Sequence, residues 1–192
     1  MKPRLILASA SPRRSQLLAE AGYEFEVDPS GIVEPEPSLG DDPAGYAADL
    51  AWRKGAAVAR RRKHGLILAA DTVGAVDGVI LNKPFDRDEA ERMIRLQEGR
   101  DAEVLTAVCL IRAATWEWAG AVEISVVRFR VLEDDEREAF LDSGKWRGKA
   151  GAYGVQDGDP FVTVARGSFS NVVGLPMERL DALFRSCPGL TF

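Results

Sequence analysis

The stretch Leu7-Ala8-Ser9-Ala10-Ser11-Pro12-Arg13-Arg14 decides how the fold begins. It has the pattern of a strand that ends in small and hydroxyl-bearing residues and passes directly into a helix. Ser11 is suited to cap that helix, and Pro12 suits its first position, because the N–H that proline lacks would have no partner there. A strand followed at once by a helix indicates an α/β fold.

The same junction has the chemistry of an anion site. The first N–H groups of a helix and the positive end of its dipole attract negative charge, and the guanidinium groups of Arg13 and Arg14 bind phosphate oxygens in pairs. Phosphate is therefore the natural ligand. These eight residues are equally compatible with an ordinary capped helix whose arginines are solvated, so both interpretations stay open at this point.

Composition limits the class of protein. The chain has 192 residues, of which 46% are hydrophobic, and a net charge of −5, which fits one domain over residues 1–192 with a sizeable core. A net acidic charge argues against a general nucleic-acid binder. No apolar run reaches the roughly 18 residues that span a bilayer, and the N-terminal apolar stretch is too short for a signal peptide. We therefore expect no nucleic-acid or membrane partner and a cytoplasmic location.

Hydrophobic periodicity places the remaining elements. It predicts helices over 12–21, from 43 to about 63, 88–96 and 134–142, and strands over 5–8, 66–70, 104–112 and 122–132, with a turn near Gly120. Asp77-Gly78 predicts a hairpin between strands over 73–76 and 79–81, and Pro176 is expected to start the last helix. Residues 28–42 have the composition of a long loop, and such loops in compact domains tend to be functional. Core packing is assigned to Val173, Leu175, Leu180, Leu183 and Phe184.

Two charged residues stand in apolar surroundings. Lys54 falls within the apolar stripe of the helix that begins at residue 43, where a lysine either snorkels to the edge or meets an anion. Asp71 follows a predicted buried strand at its carboxyl end, the edge at which ligands bind in open α/β sheets. A lone aspartate after a strand is also common as a structural residue. Spacing alone therefore leaves two interpretations for each residue.

Familiar types of site are excluded. The run from Gly144 to Lys149 resembles a Walker loop, but it has one residue too few between its glycines, no following Ser or Thr, and a helix before it. His64 is the only histidine, which excludes a Ser-His-Asp hydrolase and a metal cluster built on histidines. Cys109 and Cys187 lack metal-type spacing and are expected to be free thiols. The basic run 60–63 is interpreted as a solvated helix end.

Five further segments, together with the opening stretch, resemble the Maf family of nucleoside triphosphate pyrophosphatases. In chain order they are Ala70-Asp71-Thr72-Val73, Asn82-Lys83-Pro84, Leu105-Thr106-Ala107-Val108, Lys149-Ala150-Gly151-Ala152-Tyr153-Gly154-Val155-Gln156 and Asn171-Val172-Val173-Gly174-Leu175-Pro176. Ordered matches over nearly the whole chain are far more specific than any single one. The run that ends at Gln156 resembles the branch that hydrolyses dTTP and UTP.

The resemblance implies a fold and a reaction. The fold would be an α/β fold of the ITPase-like type, with a mixed, twisted sheet in two lobes around a central cleft. The reaction would be the hydrolysis of dTTP and UTP, with modified pyrimidine nucleotides as further candidates, to the monophosphate and pyrophosphate. Family members are often dimers, and the sequence neither supports nor opposes a homodimer.

The resemblance also implies a set of site residues. Asp71 would be the catalytic base, and Glu34 and Asp71 would hold a divalent cation, Mg²⁺ or Mn²⁺, because both supply the oxygen ligands that these ions prefer. The family's phosphate-binding positions fall on Arg13, Arg14, Lys54 and Lys83, and its substrate-choice positions fall on Arg13, Thr72 and Gln156. Ser9 completes the set of expected substrate-binding residues.

Departures from the family pattern leave alternatives open. Family members commonly carry a histidine near position 102, a branched residue at 74 and a glycine at 157, where this chain has Ala102, Gly74 and Asp157. Fine substrate preference therefore stays open, and the same chemistry on a purine or methylated nucleotide is one alternative. Another is a nucleotide-binding regulator of cell division that does not turn its ligand over.

Overall fold

A computed structural model describes residues 4–38, 40–155, 158 and 161–190. The described part contains seven strands and six α-helices. The strands are β1 (Leu5–Leu7), β2 (Phe25–Val27), β3 (Leu66–Val76), β4 (Val79–Leu81), β5 (Asp101–Arg112), β6 (Trp118–Phe129) and β7 (Val162–Arg166). The helices are α1 (Pro12–Glu20), α2 (Pro43–Arg61), α3 (Arg87–Gln97), α4 (Asp134–Asp142), α5 (Phe169–Val173) and α6 (Met177–Ser186). None of these helices combines the length and apolar character that crossing a membrane requires.

All seven strands form one mixed sheet. Six lie in the order β2-β1-β3-β5-β6-β7, and β4 pairs with the last residues of β3. β1 runs parallel to both β2 and β3, whereas β3, β5, β6 and β7 pair antiparallel in succession. The α/β class and the mixed sheet that the sequence led us to expect are therefore confirmed.

The sheet has a gap beside β3, and this gap positions the candidate site. The pairing of β1 with β3 ends where Leu7 lies opposite Leu68, and β4 joins the same side of β3 only from Gly74, which lies opposite Leu81. On its other side β3 pairs with β5 without interruption. Residues 70–73 therefore form an edge inside the sheet that faces the space beyond the end of β1.

Asp71 lies within β3 rather than after its end. The sequence predicts a strand over 66–70 and a separate strand over 73–76, and the structure joins them into one. The reason is that β5 lies opposite β3 through Asp71 and Thr72, so the strand continues after β1 has ended. The predicted hairpin is confirmed, since Asp77 and Gly78 have the positive φ values, 49° and 78°, of a tight two-residue turn.

The turn predicted near Gly120 is wrong. Gly120 lies inside β6, opposite Cys109, and the chain turns at residues 113–117, where Trp116 has a φ of +61°. The small residues 119–121 weaken the alternation by which strands are recognised. The predicted helices are confirmed, and α4 has the predicted bounds 134–142.

Three buried clusters hold these elements together. One lies on the face of β3 that carries Ile67 and Ala69 and includes the apolar side of α2. The second lies on the opposite face and carries Leu68 with apolar residues of α1 and α6, and the third surrounds Phe129 at the far end of the sheet. Because successive side chains of a strand point to opposite faces, Asp71 shares the α2 face and Thr72 the α1 face.

Two glycines test the packing that closes β1 onto β3. Both Gly65 and Gly78 have positive φ, but a methyl group added at Gly65 would lie 2.8 Å from Ile6 Cδ1, whereas nothing lies within 4 Å of one added at Gly78. We expect Gly78→Ala to lower the free energy of unfolding by about 1–2 kcal/mol, the cost of left-handed backbone for a residue with a Cβ. Gly65→Ala should cost more, because the end of the Ile6 side chain must also move and the carbonyl oxygen of Arg4 would lie 3.0 Å from the new methyl group. Urea denaturation measures both changes, and equal losses would contradict the close contact with Ile6.

Candidate functional site

A cleft of about 440 Å³ opens at the gap in the sheet. Its walls come from the end of β1, the first turn of α1, the loop that contains Glu34, the middle of β3, and the segments around residues 148–155 and 172–174. The described lining includes two carboxylates and five basic side chains, namely Arg13, Arg14, Lys54, Lys83 and Lys149. A protein with net negative charge thus concentrates positive charge in one cavity, which favours an anionic ligand.

Lys54 joins the two carboxylates of the cleft. Its ammonium group lies 2.7 Å from Glu34 Oε1 and also donates a hydrogen bond to Asp71 Oδ1. Lys54 and Asp71 are both buried, whereas Glu34 is partly exposed on its loop. Of the two interpretations of Lys54, the structure therefore supports contact with an anion, and α2, β3 and the Glu34 loop meet at one nitrogen atom.

The surroundings shift the two carboxylates in opposite directions. Burial raises the pKa of Asp71, and the positive charges of Lys54 and Arg14 offset that effect only in part. Burial opposes ionisation of Glu34, but the hydrogen bond and charge of Lys54, together with the charges of Lys83 and Arg14, outweigh it, so the pKa of Glu34 lies below its ordinary value. Asp71 is thus the more basic of the two carboxylates, which is the property required of a proton acceptor.

Arg14 is fixed on the opposite face of β3. Its Nε donates to the carbonyl oxygen of Gly174 at 2.8 Å, Nη1 donates to Ser9 Oγ at 3.1 Å, and Nη2 donates to Thr72 Oγ1 at 3.2 Å. Burial lowers the pKa of Arg14, although an arginine stays protonated at neutral pH. Two of its five N–H donors remain available to a ligand, with their directions set by the other three.

The anion site expected at the start of α1 is only partly as predicted. Ser11 occupies the N-cap position and Pro12 begins the helix, but the Ser11 side chain makes no capping hydrogen bond. Instead the Ser11 backbone N–H donates to Ser9 Oγ at 3.2 Å, so Ser9 is buried at the turn and supports it. The prediction that Ser11 caps the helix through its side chain is therefore wrong.

The remaining predicted residues divide into three groups. Arg13 is partly buried and Lys83 is exposed; both line the cleft, and neither has a hydrogen-bond or ion-pair partner among the described residues. Thr72 lines the cleft beside Arg14. Gln156 lies outside the described residues, although Val155 before it lines the cleft. The structure thus brings together eight of the nine residues expected at the site, all except Gln156.

The Glu34 loop is held at both ends by side chains. Tyr46 Oη donates to the carbonyl oxygen of Pro35 at 2.7 Å and accepts a hydrogen bond from Asn82 Nδ2 at 3.2 Å. At the start of the loop Asp28 pairs with Arg61 and Arg62. The basic run 60–63 is therefore not merely a solvated helix end, because two of its arginines anchor this loop.

Several residues of the site were not assigned from the sequence. Lys149 is buried and lines the cleft, and its place between glycine-rich segments was the available signal. Val173 also lines the cleft rather than packing in the core, because α5 is one short turn that ends against Arg14. Thr106 and Asn171 are buried polar residues behind Thr72, and both lie in segments that carried the family resemblance.

The donor set for a metal ion is small. No group of three or more His, Cys, Asp or Glu side chains suited to a metal ion occurs within the described part of the chain. Glu34 and Asp71 both contact the Lys54 ammonium group, so they converge on a position that one cation already occupies. Mg²⁺ at phosphate-transfer sites is usually held by one or two carboxylates together with waters and substrate phosphates, so two carboxylates fit it.

Comparisons with known proteins identify the family of the chain. A family model described as "Maf-like protein" matches residues 4–187. The chain is 48% identical to the dTTP/UTP pyrophosphatase of Rhodopirellula baltica, over 95% of this chain and 81% of that protein. It is 42% identical to the dTTP/UTP pyrophosphatase of Bdellovibrio bacteriovorus, over 95% of this chain and 98% of that one.

Among solved structures the chain is similar to a nucleoside-triphosphatase, dITP/XTP pyrophosphatase, from Mycobacterium abscessus. The match has a TM-score of 0.47 and 14% identity, and it covers 97% of this chain and 96% of the other. The sequence matches extend over almost the entire chain and include every segment that builds the cleft. On that evidence the chain belongs to the Maf family.

Proposed function

We propose that this protein hydrolyses dTTP and UTP to the nucleoside monophosphate and pyrophosphate. The observation that carries the proposal is the buried carboxylate of Asp71 at the centre of a cleft lined by five basic side chains. Relatives that are 40–48% identical over at least nine tenths of this chain bear the name of that activity. A binding protein would need the cations but not a buried base among them, which is why turnover is favoured over a purely regulatory role.

The reaction requires a proton acceptor next to phosphorus. A water molecule attacks the α-phosphorus, and its proton passes to Asp71. The bond from that phosphorus to the oxygen that bridges the α- and β-phosphates breaks, and pyrophosphate leaves with the electron pair of that bond. Asp71 suits this role because burial makes it more basic, while Lys54 holds its Oδ1 in place. Lys54 also lines the cleft, so its charge acts on a phosphate bound there as well as on Asp71.

The basic residues answer the charge of a triphosphate. Arg14 presents its two remaining N–H donors from a fixed position, and Arg13 and Lys83 have no ion-pair partner among the described residues that would compete with a phosphate. Charge-assisted hydrogen bonds of this kind are roughly twice as strong as neutral ones. We assign Arg13, Arg14, Lys54 and Lys83 to the phosphates, with Ser9 beside them.

A divalent cation fits the two carboxylates. Glu34 and Asp71 supply hard oxygen atoms and already share one positive charge, so Mg²⁺ or Mn²⁺ would be held by them together with substrate phosphates. When bound, such an ion supplies charge that stabilises phosphate oxygens and favours ionisation of water.

Selection of pyrimidines is assigned to Arg13, Thr72 and Gln156. A glutamine amide both donates and accepts hydrogen bonds, which suits the edge of a uracil or thymine ring. The purine or methylated nucleotide stays the alternative substrate class. A homodimer, a cytoplasmic location and one domain over 1–192 stay predictions.

Asp71→Asn tests the proton acceptor. The substitution keeps the size and the Lys54 contact but removes the basic oxygen, so we expect kcat for dTTP to fall by about 10²–10⁴ with nucleotide binding retained. Because the base must be ionised, wild-type activity should fall as the pH is lowered through the raised pKa of Asp71. Pyrophosphate release measures both effects. Turnover of the variant within tenfold of wild type would remove Asp71 from this role.

Glu34→Gln tests the divalent cation. We expect wild-type hydrolysis to stop in excess EDTA and Glu34→Gln to raise the Mg²⁺ concentration needed for half-maximal rate, because one of two ionised ligands is lost. Glu36→Gln is the matched control, since Glu36 stands on the same loop, is exposed and does not line the cleft. Full activity in EDTA, or equal shifts for both variants, would refute the assignment.

Gln156→Ala and Lys83→Ala should fail in different ways. Loss of Gln156 should lower kcat/KM for dTTP and UTP more than for other nucleotides, by roughly 1–3 kcal/mol, because only pyrimidine contacts are lost. Loss of Lys83 should lower kcat/KM for all substrates alike, since every nucleotide has the phosphates. Steady-state kinetics over a nucleotide panel measures the ratios. A steeper loss for GTP or ATP than for dTTP in Gln156→Ala would favour the purine alternative.

A further inference from the structure

A chain of hydrogen bonds runs from the cleft into the core behind Arg14. Arg14 Nη2 donates to Thr72 Oγ1, Thr72 Oγ1 lies 2.9 Å from Thr106 Oγ1, and Thr106 Oγ1 donates to the backbone carbonyl of Asn171 at 3.0 Å. Thr106 and Asn171 are fully buried, so water does not replace these bonds. None of the roles proposed above explains why two polar side chains are buried here.

The backbone carbonyl at the end of this series of hydrogen bonds fixes which group donates and which accepts in each of them. A backbone carbonyl only accepts hydrogen bonds, so the single hydroxyl proton of Thr106 is committed to Asn171. Thr72 must then be the donor in its bond with Thr106, because Thr106 has no second proton. With its own proton used and one lone pair occupied by Arg14, Thr72 has only a lone pair to offer to a ligand.

Ser9, on the other side of Arg14, has the opposite polarity. Its Oγ accepts from Arg14 Nη1 at 3.1 Å and from the Ser11 backbone N–H at 3.2 Å. Both lone pairs of a hydroxyl oxygen are thereby used, which leaves its proton to donate. Arg14 is thus flanked by a hydroxyl that donates, Ser9, and a hydroxyl that accepts, Thr72.

We infer that Thr106 is a positioning residue that makes Thr72 a hydrogen-bond acceptor, so that a nucleotide binds with phosphate oxygens toward Ser9 and a nucleoside N–H or O–H donor toward Thr72. Phosphate oxygens are hydrogen-bond acceptors, so they match the proton that Ser9 donates. At Thr72 they would face a lone pair with no proton between the two oxygens, which is unfavourable. The donor is either the N3–H of uracil or thymine or the 2′-hydroxyl of the sugar. The inference rests on the proposed nucleotide site and adds the direction in which the ligand lies.

The side chain of Asn171 holds the carbonyl end of the chain in place. Asn171 Nδ2 donates to the carbonyl oxygen of Val104 and to Ser125 Oγ, both at 2.9 Å. Ser125 in turn accepts from the Ser168 backbone N–H at 3.0 Å and donates to the Ser168 carbonyl at 3.1 Å. The short helix α5 is thereby tied to β5 and β6, and the carbonyl that orients Thr106 is held by the sheet itself.

Two substitutions of similar size separate the hydroxyl from the packing of Thr106. Thr106→Val keeps the shape and removes the hydroxyl, while Thr106→Ser keeps the hydroxyl and removes a methyl group. In Thr106→Ser, Thr72 keeps the acceptor for its hydroxyl proton. In Thr106→Val it loses that acceptor, and the proton is free to turn into the cleft. If Thr106→Val does not fold, Thr106→Ala removes the same hydroxyl without its bulk.

The test measures binding and so does not depend on turnover. Calorimetry gives the Kd of the α,β-methylene analogues of UTP, CTP and dUTP and of inorganic tripolyphosphate for each variant. We expect Thr106→Val to weaken UTP analogue binding about tenfold, the worth of one lost hydrogen bond to a buried acceptor. Tripolyphosphate, which has no nucleoside, should bind within twofold of wild type, and Thr106→Ser should resemble wild type throughout.

The selectivity ratios identify the donor. A fall in the UTP to CTP preference, because N3 carries a proton only in uracil, would assign it to the nucleobase; a fall in the UTP to dUTP preference would assign it to the 2′-hydroxyl. Unchanged ratios in Thr106→Val, or an equal loss of UTP analogue binding in Thr106→Val and Thr106→Ser, would overturn the inference. If the wild type releases no pyrophosphate yet these ratios shift, the proposed hydrolysis fails and the inference stands.

Discussion

The contact of the Lys54 ammonium group with Asp71 and Glu34 is the interaction on which the site depends. A carboxylate as buried as Asp71 would be costly to ionise without an opposite charge, and removing one partner of such a buried pair typically costs about 3–5 kcal/mol. Lys54 supplies that charge from α2, and the same atom attaches the Glu34 loop. The Glu34 loop, α2 and β3 are therefore joined through one nitrogen atom.

The gap in the sheet makes this contact possible. β1 ends at Leu7 and β4 begins to pair only at Gly74, so residues 70–73 of β3 face a cleft while β5 supports them from behind. Asp71 and Thr72 are neighbours in the sequence but project to opposite faces. The cleft thus receives the proton-accepting group from one face of the sheet and the Arg14 anchor from the other.

The sequence predicts the local chemistry of the site better than it predicts the geometry of the site. The strand-to-helix junction at 7–14, the helix that carries Lys54 and the Asp77-Gly78 turn all depend on local patterns, and the structure confirms each. The course of β3 through Asp71 depends on pairing with β5, which lies more than thirty residues away in the chain. No local pattern contains that information, so a strand end was expected where the strand continues.

The same limit applies to the buried polar residues. Lys54 within an apolar stripe left two interpretations, because its partners come from another strand and from a loop. Thr106 lies in an apolar strand whose pattern gives no sign of Asn171, 65 positions later in the sequence. A serine before a proline suggested a capping side chain, whereas the nearby Ser9 takes the Ser11 N–H instead. Tertiary contacts decide each of these cases.

The most direct measurement of the central claim is the pKa of Asp71 with and without the Lys54 charge. Carbon-13 NMR of the side-chain carboxyl groups gives it in the wild type and in Lys54→Met, which keeps an unbranched side chain. If Lys54 is what keeps the buried carboxylate ionised, the pKa of Asp71 rises in the variant by at least about one unit, and the pKa of Glu34 rises with it. An Asp71 pKa that stays the same or falls in Lys54→Met would contradict the account.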